Sequence, residues 1–192
     1  LEAGVNFFDT AEVYGDSEAI LGRALAAVDR DRYFLASKVS YKDRRGDGKI
    51  IDAAELGKRL DRSLGRLGID YLDVYQFHGL EAEDVDPVMT NLMPEMERQR
   101  QAGKICFIGV SELWETDGAH EGLLKCLPGG HFDTAMVGYN LLNSCAEDEL
   151  FDVCRENDVG VIVMFAVRRA MTDPARRREI FDELVTGGFL DR

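Results

Sequence analysis

Four polar residues of different chemical type lie at or just after the ends of apolar segments. Asp9 is near the end of the first such segment, and Tyr14 is in the stretch that follows it. Lys38 and His78 end the second and the third. In proteins built from parallel strands, the carboxyl ends of the strands meet at one edge, where active sites lie. The sequence therefore predicts that these four side chains meet in one site.

Together, these side chains are suited to protonating a carbonyl oxygen while the carbonyl is reduced. A tyrosine hydroxyl, here Tyr14, has an ordinary pKa near ~10 and needs help to act as a general acid at neutral pH. A nearby Lys38 cation would lower that pKa, and Asp9 would keep the lysine charged and in place. His78 could hydrogen-bond to the carbonyl oxygen as negative charge develops on it. No side chain supplies a hydride, so a nicotinamide cofactor is required.

Each of these residues also has a simpler explanation when it is taken alone. Asp9 could cap a turn or a helix, and Lys38 could extend its amine into solvent. Tyr14 and His78 could be packing residues of the core. However, four separate positions would then have supplied complementary groups by chance. The combination favours a catalytic site.

Six short apolar segments, rich in β-branched and aromatic residues, predict strands. Their nearly continuous hydrophobicity is typical of parallel strands covered on both faces. Amphipathic segments between them predict crossover helices, so the chain reads as a series of β-α units. Periodicity does not distinguish a doubly wound sheet from a barrel, although no strand is followed by the G-x-G-x-x-G pattern of doubly wound dinucleotide-binding proteins. The strands are expected at 5–10, 33–38, 71–78, 105–111, 134–140 and 159–166.

Capping residues predict where the longer helices begin and end. One helix is expected between an Asp52 cap and a left-handed Gly68. Another is expected after Asp86 as its N-cap, with a kink at Pro94 and an end at Gly103. Segment 112–130 is expected to be mostly loop. Further helices are expected at 17–27, 146–157 and 173–186.

The composition excludes several classes of protein. The 192 residues carry a formal net charge of −13, which argues against binding nucleic acid or an anionic membrane through the overall field. No apolar run approaches the ~20 residues of a membrane-spanning helix, and the amino terminus lacks the features of a signal peptide. A cytoplasmic protein is therefore expected.

The four cysteines show no pattern of a metal site. Cys106, Cys126, Cys145 and Cys154 include no CxxC pair and no histidine at ligand spacing. We therefore expect no metal and four reduced thiols. Cys106 and Cys154 lie in apolar or helical patterns and are expected to be buried.

Four motifs resemble those of the aldo-keto reductase family. The segment GVNFFDTAEVYG resembles the family signature, with Asp9 and Tyr14 at the positions of its catalytic aspartate and tyrosine. ASKV and DVYQFH place Lys38 and His78 where the family has its strand-end lysine and histidine. KICFIGVS, which ends at Ser111, resembles the family's fifth strand. The resemblance extends over nearly the whole chain.

This resemblance implies a fold and an activity. The fold would be a (β/α)8 TIM barrel, of which residues 1–192 form a single domain that lacks the first and the last strand. The activity would be an NADPH-dependent reduction of an aldehyde or ketone, or oxidation of the corresponding alcohol or sugar. Tyr14 would be the general acid, tuned by Lys38 and Asp9, and His78 would orient the carbonyl.

The resemblance also implies contacts to the cofactor. Asp9, Ser111 and Asn140 would contact NADP, with Ser111 on the nicotinamide carboxamide. Trp114, in the loop after Ser111, is either a wall of the substrate pocket or a partly buried packing residue.

Several positions depart from the family pattern at the nicotinamide. Glu112 replaces the asparagine that usually follows the serine, Met136 replaces a common glutamine, and MFAVRRA replaces an aromatic residue followed by Ser-Pro-Leu. An anionic Glu112 would need a positive partner, for which Arg168 and Arg169 are candidates; they could equally reach the cofactor pyrophosphate or face solvent. A second possibility is therefore a non-catalytic relative that acts as a regulatory or interaction subunit.

Overall fold

Strands and α-helices alternate along the chain. The computed structural model describes residues 1, 3–43, 46–114, 116–167 and 173–190. The strands are β1 (Phe7–Asp9), β2 (Phe34–Val39), β3 (Leu72–Phe77), β4 (Ile105–Ser111), β5 (Thr134–Gly138) and β6 (Gly160–Met164). The α-helices are α1 (Ser17–Leu25), α2 (Ala53–Leu67), α3 (Val85–Asn91), α4 (Met93–Gln101), α5 (Glu121–Cys126), α6 (Leu150–Glu156) and α7 (Pro174–Thr186). All six predicted strands are confirmed.

The six strands form one parallel sheet in the order of the chain. Each strand pairs with the next one in sequence, from β1 to β6. A doubly wound sheet reverses its strand order at a switch point, whereas a β/α barrel does not. The strand order therefore selects the barrel arrangement, which periodicity had left open. Among the described residues β1 and β6 do not pair with each other, so the sheet is a curled, open part of a barrel.

The two faces of the sheet differ in what they bury. On the concave face, Lys38 of β2, Gln76 of β3 and Gly109 of β4 lie side by side in register. Nearer the amino ends of the strands, this face exposes Phe34 and Phe107. The other face packs against the helices in one apolar cluster, which includes Leu35, Tyr75, Phe77, Ile108 and Val110 of the strands and Leu56, Leu60, Leu92 and Met96 of the helices.

Helix α2 begins and ends where the sequence predicts. The Asp52 carboxylate accepts a hydrogen bond from the N–H of Glu55 at 2.7 Å. Gly68 has a φ of 70° and its N–H donates to the carbonyl of Leu64, which closes the helix.

The prediction of a single kinked helix between Asp86 and Gly103 is wrong. The segment forms two helices, α3 and α4, which meet at Leu92. Pro94 lies in the first turn of α4, where its missing N–H breaks no helical hydrogen bond. The N-cap of α3 is Asp84, and Asp86 lies within the first turn of that helix.

The remaining expectations have mixed outcomes. Segment 112–130 is mostly loop, as expected, and contains the short α5. All four cysteines are free thiols, and Cys154 is buried. The expectation that Cys106 is buried is wrong: its thiol is exposed near Asp73 and Arg30, outside the apolar cluster. In the described parts of the chain, no helix is both long enough and apolar enough to span a bilayer.

Candidate active site

The four residues singled out from the sequence meet at the carboxyl ends of β1, β2 and β3. The carboxylate of Asp9 forms an ion pair with the amine of Lys38. Lys38 Nζ also lies 5.2 Å from the centroid of the Tyr14 ring. Tyr14 Oη is 3.5 Å from His78 Nε2, and the two rings stand nearly perpendicular. One continuous set of contacts therefore links all four side chains.

Lys38 is the most enclosed member of this set. Its side chain is 1% exposed, and Nζ also donates to the carbonyl of Thr10 at 2.9 Å. Burial lowers the pKa of Lys38, and the Asp9 carboxylate opposes that shift. Burial likewise raises the pKa of Asp9, against the effect of the Lys38 cation. The amine of Lys38 is thus enclosed, whereas the Asp9 side chain is 29% exposed and keeps a path to solvent.

Gln76 is a member of the site that the sequence analysis missed. It is fully buried beside Lys38 in the sheet, and its Nε2 donates to Asp9 Oδ1 at 3.4 Å. Asp9 is therefore held by Lys38 on one oxygen and by Gln76 on the other. The available signal was a glutamine in a mostly apolar strand, two residues before His78.

The loop that carries Tyr14 is fastened to its neighbours by Glu12. The Glu12 carboxylate accepts the N–H of Ser40 at 2.9 Å and pairs with Arg59 of α2 at 3.1 Å. The N–H of Tyr14 donates to the carbonyl of Ala11, which makes a tight turn. Tyr14 itself is 49% exposed, so its hydroxyl is accessible from outside while its loop is fixed.

A cavity of about 380 Å³ opens beside these residues. Its polar part carries the tyrosine, lysine and histidine, and its opposite part is mainly apolar. Trp114 is a wall of this cavity, one of the two roles expected for it. Asp9 and Asn140 do not line the cavity. The lining residues are Val13, Tyr14, Lys38, His78, Ser111, Glu112, Leu113, Trp114, Met136, Met164 and Phe165.

Ser111 and Asn140 differ in their surroundings. Ser111 is buried at the end of β4, and its Oγ accepts the N–H of Gly79 at 2.9 Å, which leaves the hydroxyl hydrogen available for donation. Asn140 forms a small bridge with Asn143, and its side-chain oxygen accepts the N–H of Leu142 at 2.9 Å. The geometry thus places Ser111 in the cavity and gives Asn140 a contact within a turn.

Glu112 has a hydrogen-bonding partner that the sequence analysis did not identify. Its Oε2 lies 2.6 Å from His120 Nδ1, and its Oε1 accepts the N–H of Gly138 at 2.6 Å. Burial raises the pKa of Glu112, while His120 and the Gly138 N–H act in the opposite direction. The two arginines proposed for this role, Arg168 and Arg169, lie outside the described residues. The available signal was a histidine in the loop shortly after the acidic residue.

The amino-acid sequence matches the model of one known protein family. The model described as the aldo/keto reductase family matches residues 1–181. The chain belongs to the aldo-keto reductase family. The predicted family is therefore confirmed.

The curated relatives match different shares of this chain. L-galactose dehydrogenase of Arabidopsis thaliana is 37% identical over 114 residues, which are 57% of this chain and 35% of that protein. The NADH-specific methylglyoxal reductase of Escherichia coli is 28% identical over 173 residues, which are 83% of this chain and 52% of that protein. The chain spans about half the length of the curated relatives that it matches.

Solved aldo-keto reductase structures have the same fold. A structure from Pseudomonas aeruginosa superposes with a TM-score of 0.71 at 30% identity, over 94% of this chain and 68% of that one. An aldo-keto reductase from Klebsiella pneumoniae, in complex with NADPH, superposes with a TM-score of 0.67 at 27% identity, over 97% and 63% of the two chains. The predicted barrel class is confirmed.

Proposed function

We propose that this chain carries the catalytic centre of an NADPH-dependent carbonyl reductase, which reduces an aldehyde or ketone or oxidises the corresponding alcohol or sugar. The observation that carries the proposal is the meeting of Tyr14, Lys38 and His78 in one cavity. The names of the relatives, a methylglyoxal reductase and a galactose dehydrogenase, support the same class of substrate.

In this proposal Tyr14 gives the proton to the carbonyl oxygen. Its half-exposed hydroxyl is accessible to a substrate, and the Lys38 cation 5.2 Å from its ring stabilises the tyrosinate left behind. Asp9 and Gln76 act indirectly. Asp9 pairs with Lys38, and Gln76 holds the Asp9 carboxylate in place. The ion pair therefore supports the general acid Tyr14.

His78 would share the same oxygen atom. Its Nε2 is 3.5 Å from Tyr14 Oη, so an oxygen that accepts a hydrogen bond from the tyrosine is also within reach of the imidazole. Two donors on one oxygen stabilise the negative charge that builds up there during reduction. The pair therefore also fixes the orientation of the carbonyl.

The apolar part of the cavity fits a nicotinamide ring. Met136, Met164 and Phe165 offer an apolar surface for a flat ring, and Ser111 keeps a hydroxyl hydrogen for the carboxamide oxygen. When bound there, the reduced cofactor would supply the hydride. A relative solved with NADPH favours that cofactor, and the NADH-specific relative makes NADH the comparison to test.

A non-catalytic relative is the second candidate, and the substitutions at Glu112 and Met136 favour it. However, both carboxylate oxygens of Glu112 are engaged by Gly138 and His120. The buried carboxylate therefore has a partner of its own, and its presence does not by itself prevent a ring from binding in the cavity.

Cofactor titration separates the two candidates. Trp114 is the only tryptophan of the chain and lines the cavity, so its fluorescence should change as NADPH or NADH is added. Saturable binding supports the reductase. A flat response up to high micromolar concentrations of both cofactors, with no cofactor bound by equilibrium dialysis, would identify the non-catalytic relative.

Tyr14→Phe tests the chemistry. Loss of a general acid should lower turnover of a generic aldehyde by about 10²- to 10⁴-fold while cofactor affinity stays the same. Tyr71→Phe is the control, because Tyr71 precedes β3 at the opposite end of the sheet. Equal turnover in wild type and Tyr14→Phe would exclude Tyr14 as the acid.

A further inference from the structure

A second set of linked side chains starts at Glu112 and includes none of the four residues of the proposed acid centre. Glu112 Oε2 lies 2.6 Å from His120 Nδ1, and His120 Nε2 lies 3.2 Å from Cys145 Sγ. Glu112 and His120 are 3% and 2% exposed, whereas Cys145 is partly exposed. A carboxylate, an imidazole and a thiol thus follow one another from the interior towards solvent.

This order of groups is one that activates a nucleophile. With its proton on Nδ1, His120 donates to Glu112 and keeps the Nε2 lone pair for the thiol proton of Cys145. The carboxylate then stabilises the imidazolium that forms when that proton moves. The thiol and the carboxylate contact opposite nitrogens of one ring, and the described residues contain no cluster of three such side chains placed to hold a metal ion.

Two other groups contact the sulfur of Cys145. Asn143 Oδ1 lies 2.9 Å from the sulfur and the carbonyl of Gly118 lies 3.2 Å from it. Both are hydrogen-bond acceptors for the thiol and neither is a base. Among the described contacts of the sulfur, His120 is the one group that can act as a base.

The other three cysteines lack this arrangement. Cys126 and Cys154 are buried, and burial raises their pKa values, that of Cys126 to about 12. Cys106 is exposed, but partial desolvation and the charge of Asp73 raise its pKa. In the described structure none of the three thiols hydrogen-bonds to a histidine. Cys106 is therefore an internal control, an accessible thiol without a base.

We propose that Cys145 is a peroxide-reactive thiol, activated by His120 and Glu112, and that it is a site of reversible oxidation. The sulfur attacks one oxygen of hydrogen peroxide, so that an S–O bond forms and the O–O bond breaks. The departing hydroxide takes the thiol proton from His120 and leaves as water. Sulfur loses two electrons and becomes a sulfenic acid, while the peroxide is reduced.

The surroundings of Cys145 suit this product. A sulfenic acid has an O–H donor, and the oxygens of Asn143 and Gly118 already lie within hydrogen-bonding distance of the sulfur. The partial exposure of Cys145 admits a small oxidant. The reaction uses no nicotinamide, so the proposal stands or fails independently of carbonyl reduction.

The first test compares two thiols in the same folded chain. The purified protein is treated with iodoacetamide at neutral pH, and labelling of each cysteine is followed by peptide mass spectrometry. Cys145 should react faster than Cys106, although Cys106 is the more exposed of the two. His120→Asn should slow Cys145 by about 10²-fold, the lower range for a general base, and leave Cys106 unchanged.

Asparagine is the suitable replacement because His120 has a φ of 62°, a left-handed conformation that asparagine adopts more readily than most residues. If the variant unfolds, Cys126 and Cys154 become labelled. In that case Glu112→Gln is tested in place of His120→Asn, because this change keeps a hydrogen-bonding side chain but removes the charge that stabilises the imidazolium. A Cys145 rate no higher than that of Cys106 in the wild type overturns the proposal, as does an unchanged Cys145 rate in the folded variants.

The second test looks for the oxidised product. Wild-type protein treated with hydrogen peroxide and dimedone should carry the dimedone adduct at Cys145 and not at Cys106. The adduct should be lost in Cys145→Ser and strongly reduced in His120→Asn or Glu112→Gln. An adduct at Cys106 alone, or none at all, would contradict peroxide reactivity at Cys145.

Discussion

Two acid-base pairs, one partly exposed and one buried, lie at or near the strand ends of this molecule, and they differ in what their protons can do. Asp9 pairs with Lys38, and Glu112 pairs with His120. In both pairs burial is the largest influence on the carboxyl pKa, which it raises. The partners differ, because the ordinary pKa is about 10.4 for lysine and about 6.5 for histidine.

This difference separates a fixed charge from a movable proton. The ordinary pKa values of aspartate and lysine differ by about 6 units, so the first pair stays ionic at neutral pH. The ordinary pKa of histidine lies close to neutral pH, so a neutral imidazole beside the Glu112 carboxylate can accept a proton, and the carboxylate stabilises the imidazolium that forms. The first suits a permanent cation beside Tyr14. The second suits proton uptake from Cys145.

Breaking the fixed pair should have the largest effect on stability. Lys38→Met leaves Asp9 without its cation and should lower the free energy of unfolding by about 2–3 kcal/mol, less than for a fully buried pair because the Asp9 side chain is 29% exposed. Asp9→Leu combined with Lys38→Met should recover most of that loss, because no unpaired charge remains. Urea unfolding of the two variants measures both values.

The exposed Lys49 provides the control for this comparison. Its amine pairs with Asp47 at the surface, with side chains 80% and 55% exposed, and Lys49→Met should have no measurable effect. A double variant as unstable as Lys38→Met alone would mean that packing, and not charge, accounts for the loss.

The pair of Glu112 and His120 can be disturbed through the backbone N–H that holds Glu112. The N–H of Gly138 donates to Glu112, and a Cβ at Gly138 would overlap the ring of Trp114. Gly138→Ala should therefore lower the free energy of unfolding by about 1–3 kcal/mol and shift the fluorescence of Trp114.

A glycine with free space around it is the matched control for Gly138. In α2, a Cβ at Gly65 would meet no atom within 4 Å, and Gly65→Ala should stabilise the protein by about 0.5–1 kcal/mol. If Gly138→Ala were as stable as Gly65→Ala, the tight packing of Trp114 over Gly138 would be excluded.

The raised pKa of Glu112 should appear in the pH dependence of stability. The pKa of Glu112 in the folded protein is raised from 4.5, so the folded state holds this proton more tightly than the unfolded state does. That contribution to stability is present below the unfolded pKa and is lost as the pH rises through the folded pKa. Urea unfolding across this range should show wild type losing stability relative to Glu112→Gln as the pH rises.

Glu55 should show the opposite slope. Hydrogen bonding to Arg62 is the largest cause of its lowered pKa, with Arg59 also contributing. Its contribution is therefore present above the unfolded pKa and is lost as the pH falls. Slopes of the same sign for Glu55→Gln and Glu112→Gln would contradict the contrast between the two carboxylates.

The smallest effect is expected at Ser111, the residue next to Glu112. Ser111→Ala leaves the N–H of Gly79 without its acceptor and should lower the free energy of unfolding by about 1 kcal/mol. Ser144→Ala, at an exposed position, should change it by less than about 0.5 kcal/mol. Thermal unfolding of the two variants makes the comparison. Equal stability of Ser111→Ala and Ser144→Ala would mean that water replaces the lost hydroxyl of Ser111.

The sequence reveals the fixed pair but not the movable one, and the reason is positional. Asp9, Lys38 and His78 stand where apolar runs end, and the end of a strand determines both the depth and the direction of a side chain. His120 stands in a loop without periodicity and reaches Glu112 through a left-handed backbone conformation. Cys145 lies 25 residues further along, so no local pattern connects the two.

Other differences arise from tertiary context. Gln76 was hidden because an apolar run does not show which side of the strand faces the site. The run that contains Cys106 predicts burial, but the helices leave that part of β4 exposed. Pro94 is compatible with either a kink or a first turn, and the backbone at Leu92 decides in favour of two helices.

The consecutive strand order has a consequence for how the molecule is made. Since each strand bonds only to its neighbours in the chain, the sheet can grow by one unit at a time as the polypeptide leaves the ribosome. The first 78 of the 192 residues already contain Asp9, Tyr14, Lys38 and His78. We therefore expect the nascent chain to assemble its proton donor before the codon for Cys145 has been read.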